Sequence, residues 1–255
     1  MQLTGNTILI TGGGSGIGRG LAEAFRELGN TVLIAGRDAA KLEQAVAANP
    51  GMHAVPLDVT DPDDIARIGG ELPKQFPDLN VVINNAGVMR FEDVTDHDLE
   101  VAESTIATNL LGPIRLTAAL LPQLRQRPRA AVLNVTSGLA FVPMAATPTY
   151  NATKAALHSY TISLREQLRD SSVEVLELIP PYVQTHLTGE AQSKDERAMP
   201  LADYIRDTMA FLRDQPEQPE VVIQRVSPLR HAEAKGSFDR VLPMMTEMGR
   251  ALAGK

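Results

Sequence analysis

Residues 7–18 read T-I-L-I-T-G-G-G-S-G-I-G, an apolar run that leads directly into a glycine-rich turn. The run from Thr7 to Thr11 predicts a buried strand, and a helical pattern of apolar residues follows the turn and ends at Gly29. Glycine lets a backbone approach a pyrophosphate closely, and the amides at a helix N-terminus attract the anion. The order of strand, glycine turn and helix therefore predicts a parallel α/β fold with a dinucleotide site.

The glycine spacing leaves an alternative open. Gly12, Gly16 and Gly18 do not fit G-x-G-x-x-G from any starting glycine, and no Gly-Lys-Ser or Gly-Lys-Thr follows, as a Walker loop would require. A flexible glycine turn without a ligand is the other interpretation of these residues.

Further short apolar runs recur along the chain, with room for a helix between them. With the first, they predict six strands: Thr7 to Thr11, Thr31 to Ala35, His53 to Leu57, Val81 to Asn84, Ala131 to Thr136 and Val173 to Ile179. Their near-continuous apolar character is typical of strands covered by helices on both faces. We predict a Rossmann-type α/β fold, a doubly wound parallel sheet in three layers that forms a single domain over residues 1–255. From about residue 185 to 255 the strand pattern is lost, and we interpret this part as a loop and helix appendage for the substrate.

The composition excludes several classes of protein. With 44% hydrophobic and 22% charged residues the chain is an ordinary globular protein, and its net charge of -7 argues against nucleic-acid or anionic membrane partners. Zero cysteines exclude disulfides and thiolate chemistry, and no leader or membrane span is evident. We therefore expect a cytoplasmic protein with a small-molecule partner. We expect no metal site, because metal-ligand spacing is absent among the histidines His53, His97, His158, His186 and His231.

The end of the second predicted strand bears on the choice of dinucleotide. An acid at this place accepts a hydrogen bond from the ribose 2'-hydroxyl of NAD, whereas an arginine pairs with the 2'-phosphate of NADP. The strand ends Ile34-Ala35-Gly36-Arg37, so Arg37 predicts a preference for NADP. NAD stays an alternative, because Arg37 can instead pair with Asp38 and the glycine turn offers only Ser15, with no second basic residue.

Tyr150 and Lys154 lie one turn apart in a segment that predicts a helix beginning near Pro148. A phenol near pKa 10 must fall by about 3 units to act at neutral pH, which requires roughly 4 kcal/mol of preferential stabilisation of the phenolate. One ammonium about 4 Å away supplies roughly that amount at an effective dielectric constant near 20. The pair can thus move a proton to or from an alcohol oxygen; a partly exposed helix face is the alternative interpretation.

Several features occur in a fixed order along the chain. Asn84-Asn85-Ala86-Gly87 ends the fourth predicted strand, Asn109 lies in a long helix and Ser137 ends the fifth strand, with 12 residues between Ser137 and Tyr150. Together with T-G-x-x-x-G-x-G at residues 11–18 and Y-x-x-x-K at 150–154, they resemble the short-chain dehydrogenase/reductase family over about 185 residues. Gly36-Arg37 and the tail Pro228-Leu229-Arg230 are similar to the DltE-like oxidoreductases within that family.

The resemblance implies an NAD(P)-dependent oxidoreductase that transfers hydride between the nicotinamide and a carbonyl or alcohol substrate. It implies that Tyr150 is the general acid/base, that Lys154 lowers its pKa and binds the nicotinamide ribose, and that Ser137 orients the substrate oxygen. Asn109 would hold a water in the proton path. The implied cofactor-binding residues are Gly12, Gly14, Ser15, Gly16, Ile17, Gly18, Arg37, Asp58, Val59, Asn85, Ala86, Gly87, Tyr150, Lys154 and Thr185. For Asn85 to Gly87 a purely structural role stays open.

The chain departs from the family pattern after the sixth strand. The family has Pro-Gly there with a threonine four residues later, whereas this chain has Pro180-Pro181 and keeps Thr185. Tyr182 then either reaches the mouth of the active site or packs against its neighbours. The C-terminal Gly-Gly strand element is missing, which argues against a seventh strand and the tetramer contact that it builds. We expect a homodimer formed through the two long helices.

Two other functions are compatible with these motifs. The same fold and cofactor can run an epimerisation or dehydration, with no net change in NADPH. A non-catalytic dinucleotide-sensing module is the second, although it has no need of the Asn, Ser, Tyr and Lys set. Substrate contacts are expected from residues 89–94, 139–147 and 182–201, where Met89 and Met144 either line an apolar pocket or pack in the core.

Overall fold

The computed structural model describes residues 1–96 and 99–254. Within them, seven parallel strands form one sheet in the order β3-β2-β1-β4-β5-β6-β7. The strands are β1 (Thr7–Thr11), β2 (Thr31–Gly36), β3 (Met52–Pro56), β4 (Leu79–Asn84), β5 (Ala130–Val135), β6 (Val173–Leu178) and β7 (Glu220–Val221). The six predicted strands all form, and their ends lie within two residues of the predicted ones.

Helices connect the strands and cover both faces of the sheet. They are α1 (Gly16–Glu27), α2 (Ala39–Ala48), α3 (Pro62–Gln75), α4 (Glu100–Ile106), α5 (Gly112–Leu124), α6 (Pro148–Gln167), α7 (Glu190–Ser193), α8 (Leu201–Asp214), α9 (Ser227–Arg230) and α10 (Phe238–Ala253). A π-helical turn, Ala107–Leu111, joins α4 to α5, and a 3-10 turn, Gly138–Ala140, follows β5. In residues 1–96 and 99–254, no helix combines the length and the apolar character that a membrane crossing requires.

The core consists of two apolar layers on either side of the sheet. Ile8 and Ile10 of β1 pack with Phe25 of α1 on one face, and Leu9 between them packs with Leu116 of α5 on the other. All five side chains are fully buried. Because the side chains of a strand alternate between faces, a strand buried on both sides must be apolar throughout. The three-layer, single-domain Rossmann-type fold is confirmed.

The strand order reverses between β1 and β4, and this position defines the functional crevice. Their helices leave toward opposite faces, since α1 packs with Phe25 on one layer and α5 with Leu116 on the other. A crevice therefore opens beyond the carboxyl ends of these strands, where ligands bind in open α/β sheets. The glycine turn after β1 and the Asn85 segment after β4 both lie there.

One expectation about the elements requires correction. The expected absence of a seventh strand is wrong, because β7 pairs in parallel with Glu177 and Leu178 of β6. Its two residues are too short to produce a periodic pattern, and the pairing needs no glycine, only backbone bonds such as Glu177 N to Pro219 O at 2.9 Å. Asn109 lies in a long helix as predicted, because residues 100–124 are helical without a break and the π-helical turn is a bulge within them.

Candidate active site

A cavity of about 660 Å³ occupies the crevice at the carboxyl ends of the strands. Its size is within the usual range for small-molecule sites. It brings together eleven of the predicted site residues: Gly12, Ser15, Gly16, Ile17, Asn85, Ala86, Gly87, Ser137, Tyr150, Lys154 and Thr185. The other predicted residues do not line it: Gly14, Gly18, Arg37, Asp58, Val59 and Asn109.

In the glycine turn, neighbouring atoms occupy the space that a side chain would need. Gly12 has a φ of +66° and Gly16 a φ of +52°, which other residues rarely adopt. A Cβ on Gly18 would lie 2.4 Å from Asn85 Nδ2 and 2.5 Å from the carbonyl oxygen of Gly12. Gly14 is different, because its Cβ would meet nothing closer than 3.5 Å. Only part of the glycine cluster is thus required by packing.

The N-terminus of α1 suits an anion. Ser15 caps the helix without a side-chain hydrogen bond, and the first turn contains no acidic residue. The first amides of a helix have no acceptor within it, and the helix dipole adds a partial positive charge. Ser15, Gly16 and Ile17 line the cavity, so a pyrophosphate fits this end.

Thr11 joins the glycine turn to the segment after β4. Its Oγ1 accepts hydrogen bonds from the backbone N–H groups of Asn85 and Ala86, each at 3.0 Å. Asn85 Nδ2 returns a bond to the carbonyl oxygen of Thr11 at 2.9 Å. These bonds give the Asn85 segment a structural role, and Asn85, Ala86 and Gly87 also line the cavity.

Tyr150 and Lys154 lie in the first two turns of α6, which begins at Pro148 as predicted. Both side chains are buried, with Lys154 only 4% exposed, which excludes the exposed helix face. Lys154 Nζ lies 5.7 Å from the centre of the Tyr150 ring and donates to the carbonyl oxygen of Val135 at 2.7 Å. Ser137 caps the 3-10 turn after β5, and its Oγ accepts from Leu139 N at 3.1 Å.

Burial moves the two pKa values in opposite directions, because a charged form loses hydration in the interior. It raises the pKa of Tyr150 to about 12, while a side-chain hydrogen bond with Ser137 opposes the rise. It lowers the pKa of Lys154 to about 8, against the attraction of the Glu177 carboxylate. At neutral pH the site therefore holds a protonated phenol beside an ammonium group.

Asn109 is fully buried in the π-helical turn, a type of irregularity that is frequent at functional sites. Its Oδ1 accepts from Val88 N and its Nδ2 donates to Val88 O, each at 2.9 Å. A second bond from Nδ2 reaches Thr153 Oγ1 at 3.3 Å. Asn109 thus ties the segment after β4 to the helix of the Tyr and Lys pair.

The structure adds a basic residue near the expected adenosine end. Arg37 is exposed and its guanidinium lies 3.9 Å from Asp58 Oδ2, not beside Asp38. Lys41, in the first turn of α2, lines the cavity and lies against Gly14. Asp38 begins this helix by accepting from Lys41 N. Lys41 was not among the predicted site residues, although its position one turn after Arg37 in a capped helix is a usable signal.

Thr185 lies at the cavity with its Oγ1 accepting from Gln192 Nε2 at 3.1 Å. Tyr182 does both things that the sequence allowed, since it lines the cavity and donates to Asp195 at 3.1 Å. Val59 is buried against Gly112, and Asp58 Oδ1 accepts from Thr60 N at 2.9 Å. Within the described residues, these contacts of Asp58 and Val59 hold the loop after β3.

Residues 185–255 were expected to form a substrate appendage, and the structure adds lining residues after residue 201 that were not among the expected substrate contacts. Met245, Met248 and Leu252 of α10 line the cavity, and Gly249 contacts the side chain of Met144. Met89 both lines the cavity and packs in an apolar cluster, so the two interpretations of Met89 hold together. Three of the histidines lie in different places. His186 lines the cavity and His158 lies behind it against Glu177, while His97 is outside the described residues.

Known proteins resemble this chain in sequence and in architecture. The profile of a family described as short chain dehydrogenase matches residues 6–196. The chain is 40% identical over 251 residues to the uncharacterized oxidoreductase DltE of Bacillus subtilis, covering 96% of this chain and 98% of that protein. A short chain dehydrogenase/reductase from Burkholderia phymatum in complex with NAD has a TM-score of 0.81 at 21% identity, covering 94% and 96% of the two chains. A short chain dehydrogenase from Burkholderia cenocepacia in complex with NADP has a TM-score of 0.80 at 25% identity, covering 95% and 99%.

A substitution at Gly18 tests whether close packing, rather than backbone flexibility alone, requires glycine at that position. Gly18→Ala places a Cβ against Asn85 Nδ2 and Gly12 O, both closer than 2.6 Å. We expect a loss of about 1–3 kcal/mol in the free energy of unfolding, although alanine favours an isolated helix. Urea unfolding measures the loss, with Gly14→Ala as the matched control that changes little. Equal stability of the two variants would contradict the close approach.

Proposed function

Because the chain belongs to the short chain dehydrogenase family and is thus an NAD(P)-dependent oxidoreductase, we propose that it uses Tyr150 as general acid/base on a carbonyl or alcohol substrate and prefers NADP. The observation that carries the proposal is the position of Tyr150, Lys154 and Ser137 in one cavity with the glycine turn. The small-molecule substrate reaches Tyr150 from that cavity. When bound, the nicotinamide supplies or accepts the hydride at the carbonyl carbon.

Tyr150 and Ser137 hold the substrate oxygen in this proposal. Both side chains line the cavity, and Ser137 opposes the rise in the pKa of Tyr150, so in this proposal both hydroxyls donate to one carbonyl oxygen. In reduction, the oxygen gains negative charge as the carbonyl carbon is reduced, and Tyr150 gives it the phenolic proton. Burial raises the pKa of Tyr150 to about 12, which keeps that proton available at neutral pH.

Lys154 stabilises the phenolate that forms on Tyr150. Two unit charges separated by the 5.7 Å between Nζ and the ring centre attract each other by about 3 kcal/mol at an effective dielectric constant near 20. This attraction exists only once the proton has left, so it favours the transfer itself. An ammonium group has three N–H donors, and Val135 takes one of them among the described bonds. The others suit the hydroxyls of the nicotinamide ribose.

Asn109 and the glycine turn complete the proposed assignments. Asn109 holds the π-helical turn beside Val88 and would position a water that returns a proton to the Lys154 side of the site. Gly12, Gly14, Ser15, Gly16, Ile17 and Gly18 would hold the pyrophosphate. Asp58 and Val59 would contact the adenine, Asn85 to Gly87 would support the cofactor, and Thr185 would bind the nicotinamide amide.

The preference for NADP is supported by two cations at the adenosine end. Arg37 is 63% exposed, and Lys41 lines the cavity beside Gly14. A 2'-phosphate carries up to two negative charges and forms strong hydrogen bonds with such groups. Asp58 and Asp38 lie near these cations at 3.9 Å and 3.1 Å, which orients both side chains without neutralising the pair in water.

A homodimer is the oligomer that we propose, formed through the long helices. Ile106 of α4 is 39% exposed and Ile162 of α6 is 41% exposed, and these two helices pack on each other. In a dimer formed through these helices, the partner would cover both side chains and remove their apolar surface from water. Sedimentation measures the mass, and a monomer in the native protein would exclude the dimer.

Replacing Tyr150 tests the chemistry. Tyr150→Phe removes the acidic hydroxyl and keeps the ring, so we expect the rate of carbonyl reduction to fall by about a thousandfold or more with little change in NADPH affinity. Absorbance at 340 nm follows the rate and cofactor fluorescence the affinity. Tyr160→Phe is the matched control, because Tyr160 lies on the same helix, packs partly buried against the apolar core and does not line the cavity. Activity retained by Tyr150→Phe would remove Tyr150 from the mechanism.

Replacing Arg37 tests the cofactor preference. Arg37→Asp turns the cation into an acceptor for a free 2'-hydroxyl and repels the 2'-phosphate. We expect NADPH to bind at least tenfold more weakly and NADH more tightly, because each charged hydrogen bond contributes about 1.5–3 kcal/mol. Fluorescence titrations with both cofactors measure the ratio, and Arg213→Asp, an exposed cation outside the cavity, is the control. An unchanged ratio means that Arg37 does not touch the ribose phosphate.

A further inference from the structure

The cavity wall beside Tyr150 is apolar. Met89 and Met144 form a buried cluster with the Tyr150 ring, and Leu139, Leu187 and Leu252 pack against it. The helix α10 adds Met245 and Met248 to the same cavity. Methionine is flexible and polarisable, so a wall rich in methionine adapts to apolar groups of different shapes.

The charged residues of the cavity are distributed unevenly. Among the described lining residues there is no aspartate or glutamate, and the lysines and arginine are Lys41, Arg90 and Lys154. Lys41 lies against the glycine turn and Lys154 beside Tyr150, while Arg90 donates to the carbonyl oxygen of Met89 at 3.3 Å. Lys154 and Arg90 thus lie at the Tyr150 end, where each donates to a backbone carbonyl oxygen, and the methionines and leucines there offer a substrate apolar contact.

We propose that the substrate is a ketone or aldehyde with an extended apolar arm, alkyl or aryl, which lies between Met89 and Met144 on one side and α10 on the other. The proposal rests on the function proposed above and names its substrate class. It also assigns the C-terminal part of the appendage, residues 238–253, to substrate binding. Burying an apolar arm against Met245 and Met248 removes apolar surface from water on both sides.

A homologous series of methyl ketones from butanone to decanone tests the substrate class. With NADPH, we expect kcat/KM to rise about fourfold for each added methylene group, until the arm covers the apolar wall. A fourfold rise corresponds to about 0.8 kcal/mol per group. A flat or falling series overturns this inference while leaving the proposed function intact. If no ketone is reduced, calorimetric titration of decanone and butanone into the protein with NADPH decides, and equal affinities overturn the inference.

Paired substitutions on α10 locate the arm. Met248 lines the cavity, whereas Met244, on the same helix, is 65% exposed and does not. We expect Met248→Asp to reduce the ratio of kcat/KM for decanone over butanone at least tenfold, and Met248→Leu and Met244→Asp to keep it. NADPH titration shows whether each variant is folded. A ratio unchanged in Met248→Asp excludes α10 from the binding wall.

A second inference starts from Glu177, a fully buried carboxylate in β6. Its Oε1 accepts from Thr136 Oγ1 at 2.6 Å, and its Oε2 bonds His158 Nδ1 at 2.7 Å. Thr136 stands between Val135, whose carbonyl oxygen accepts from Lys154, and Ser137. Glu177 thus holds the end of β5 from behind the site.

Charged groups face Glu177 from several elements. His158 and Arg165 come from α6, Arg230 from α9 and Glu220 from β7, while Lys154 lies on the cavity side. Ligand atoms of His158, Glu177 and Glu220 lie within 4.8 Å of one another, as a metal would require. Arg230, however, bonds both oxygens of Glu220 at 2.6 Å and 3.0 Å. The arrangement is therefore better described as an ion network.

We propose that Glu177 is a positioning residue that, through Thr136, fixes the strand end that carries Ser137 and the Val135 carbonyl oxygen to which Lys154 donates. The inference rests on the proposed role of Lys154. A lysine buried without a countercharge tends to lose its proton, because the interior disfavours an isolated ammonium. Burial alone lowers the pKa of Lys154, and Glu177 raises it. His158 and Thr136 hold the carboxylate that supplies the countercharge.

The pH profile tests Glu177. We expect kcat/KM for reduction to fall at high pH as Lys154 loses its proton, because burial lowers the pKa of Lys154 to about 8. Glu177→Gln keeps the shape of the side chain and removes its charge. We therefore expect the high-pH limb, the fall of kcat/KM at high pH, to move to lower pH by about one unit. Glu177→Asp restores the limb in part, and Glu174→Gln, exposed on the same strand, leaves it in place.

Two outcomes overturn the inference. One is a Glu177→Gln variant whose kcat/KM falls at the same high pH as in the native protein, with kcat altered only by a constant factor. The other is a native profile that is flat around pH 8. The pH dependence of NADPH affinity gives a second readout that does not require turnover, since Lys154 binds the ribose in the proposed function. Unlike these results, a Tyr150→Phe variant that stays active contradicts the proposed function itself.

Discussion

The structure depends on the position where the order of the parallel strands reverses. Neighbouring strands β1 and β4 send their helices to opposite faces, so the edge of the sheet between them stays uncovered. Thr11 closes this junction by accepting from the amides of Asn85 and Ala86. Backbone groups, rather than side chains, therefore form the floor of the cavity, and close approach of a dinucleotide becomes sterically feasible there.

Burial organises the chemistry on the other side of the cavity. Tyr150 and Lys154 are both removed from water, which raises the pKa of the phenol and lowers the pKa of the ammonium. The two effects move the proton affinities of the pair apart, because Tyr150 holds its proton more tightly and Lys154 holds its proton less tightly than in water. Glu177 limits the effect on Lys154, because a buried carboxylate attracts the ammonium. The site is thus a balance between desolvation and fixed charge.

Much of the fold and part of the site could be predicted, and the physical reasons for success and failure differ. Strands buried on both faces must be apolar, so β1, β2, β4, β5 and β6 were visible as runs rich in Val, Ile and Leu, whereas the edge strand β3, Met-His-Ala-Val-Pro, is only partly buried. The two-residue strand β7 is held by backbone bonds that carry no side-chain signal. Glu177 interrupts an apolar run, and nothing in the run indicates that Thr136 and His158 satisfy its carboxylate.

The sequence by itself determined the parallel α/β fold, the glycine turn, the order of Asn109, Ser137, Tyr150 and Lys154, and the family. These features depend on local periodicity and short spacings. Only the tertiary structure decided that α10 covers the cavity beside Met144, that Lys41 joins the glycine turn, and which side chains lose their contact with water. Contacts between residues far apart in the chain depend on how the layers pack, and burial sets both the pKa values and the apolar wall.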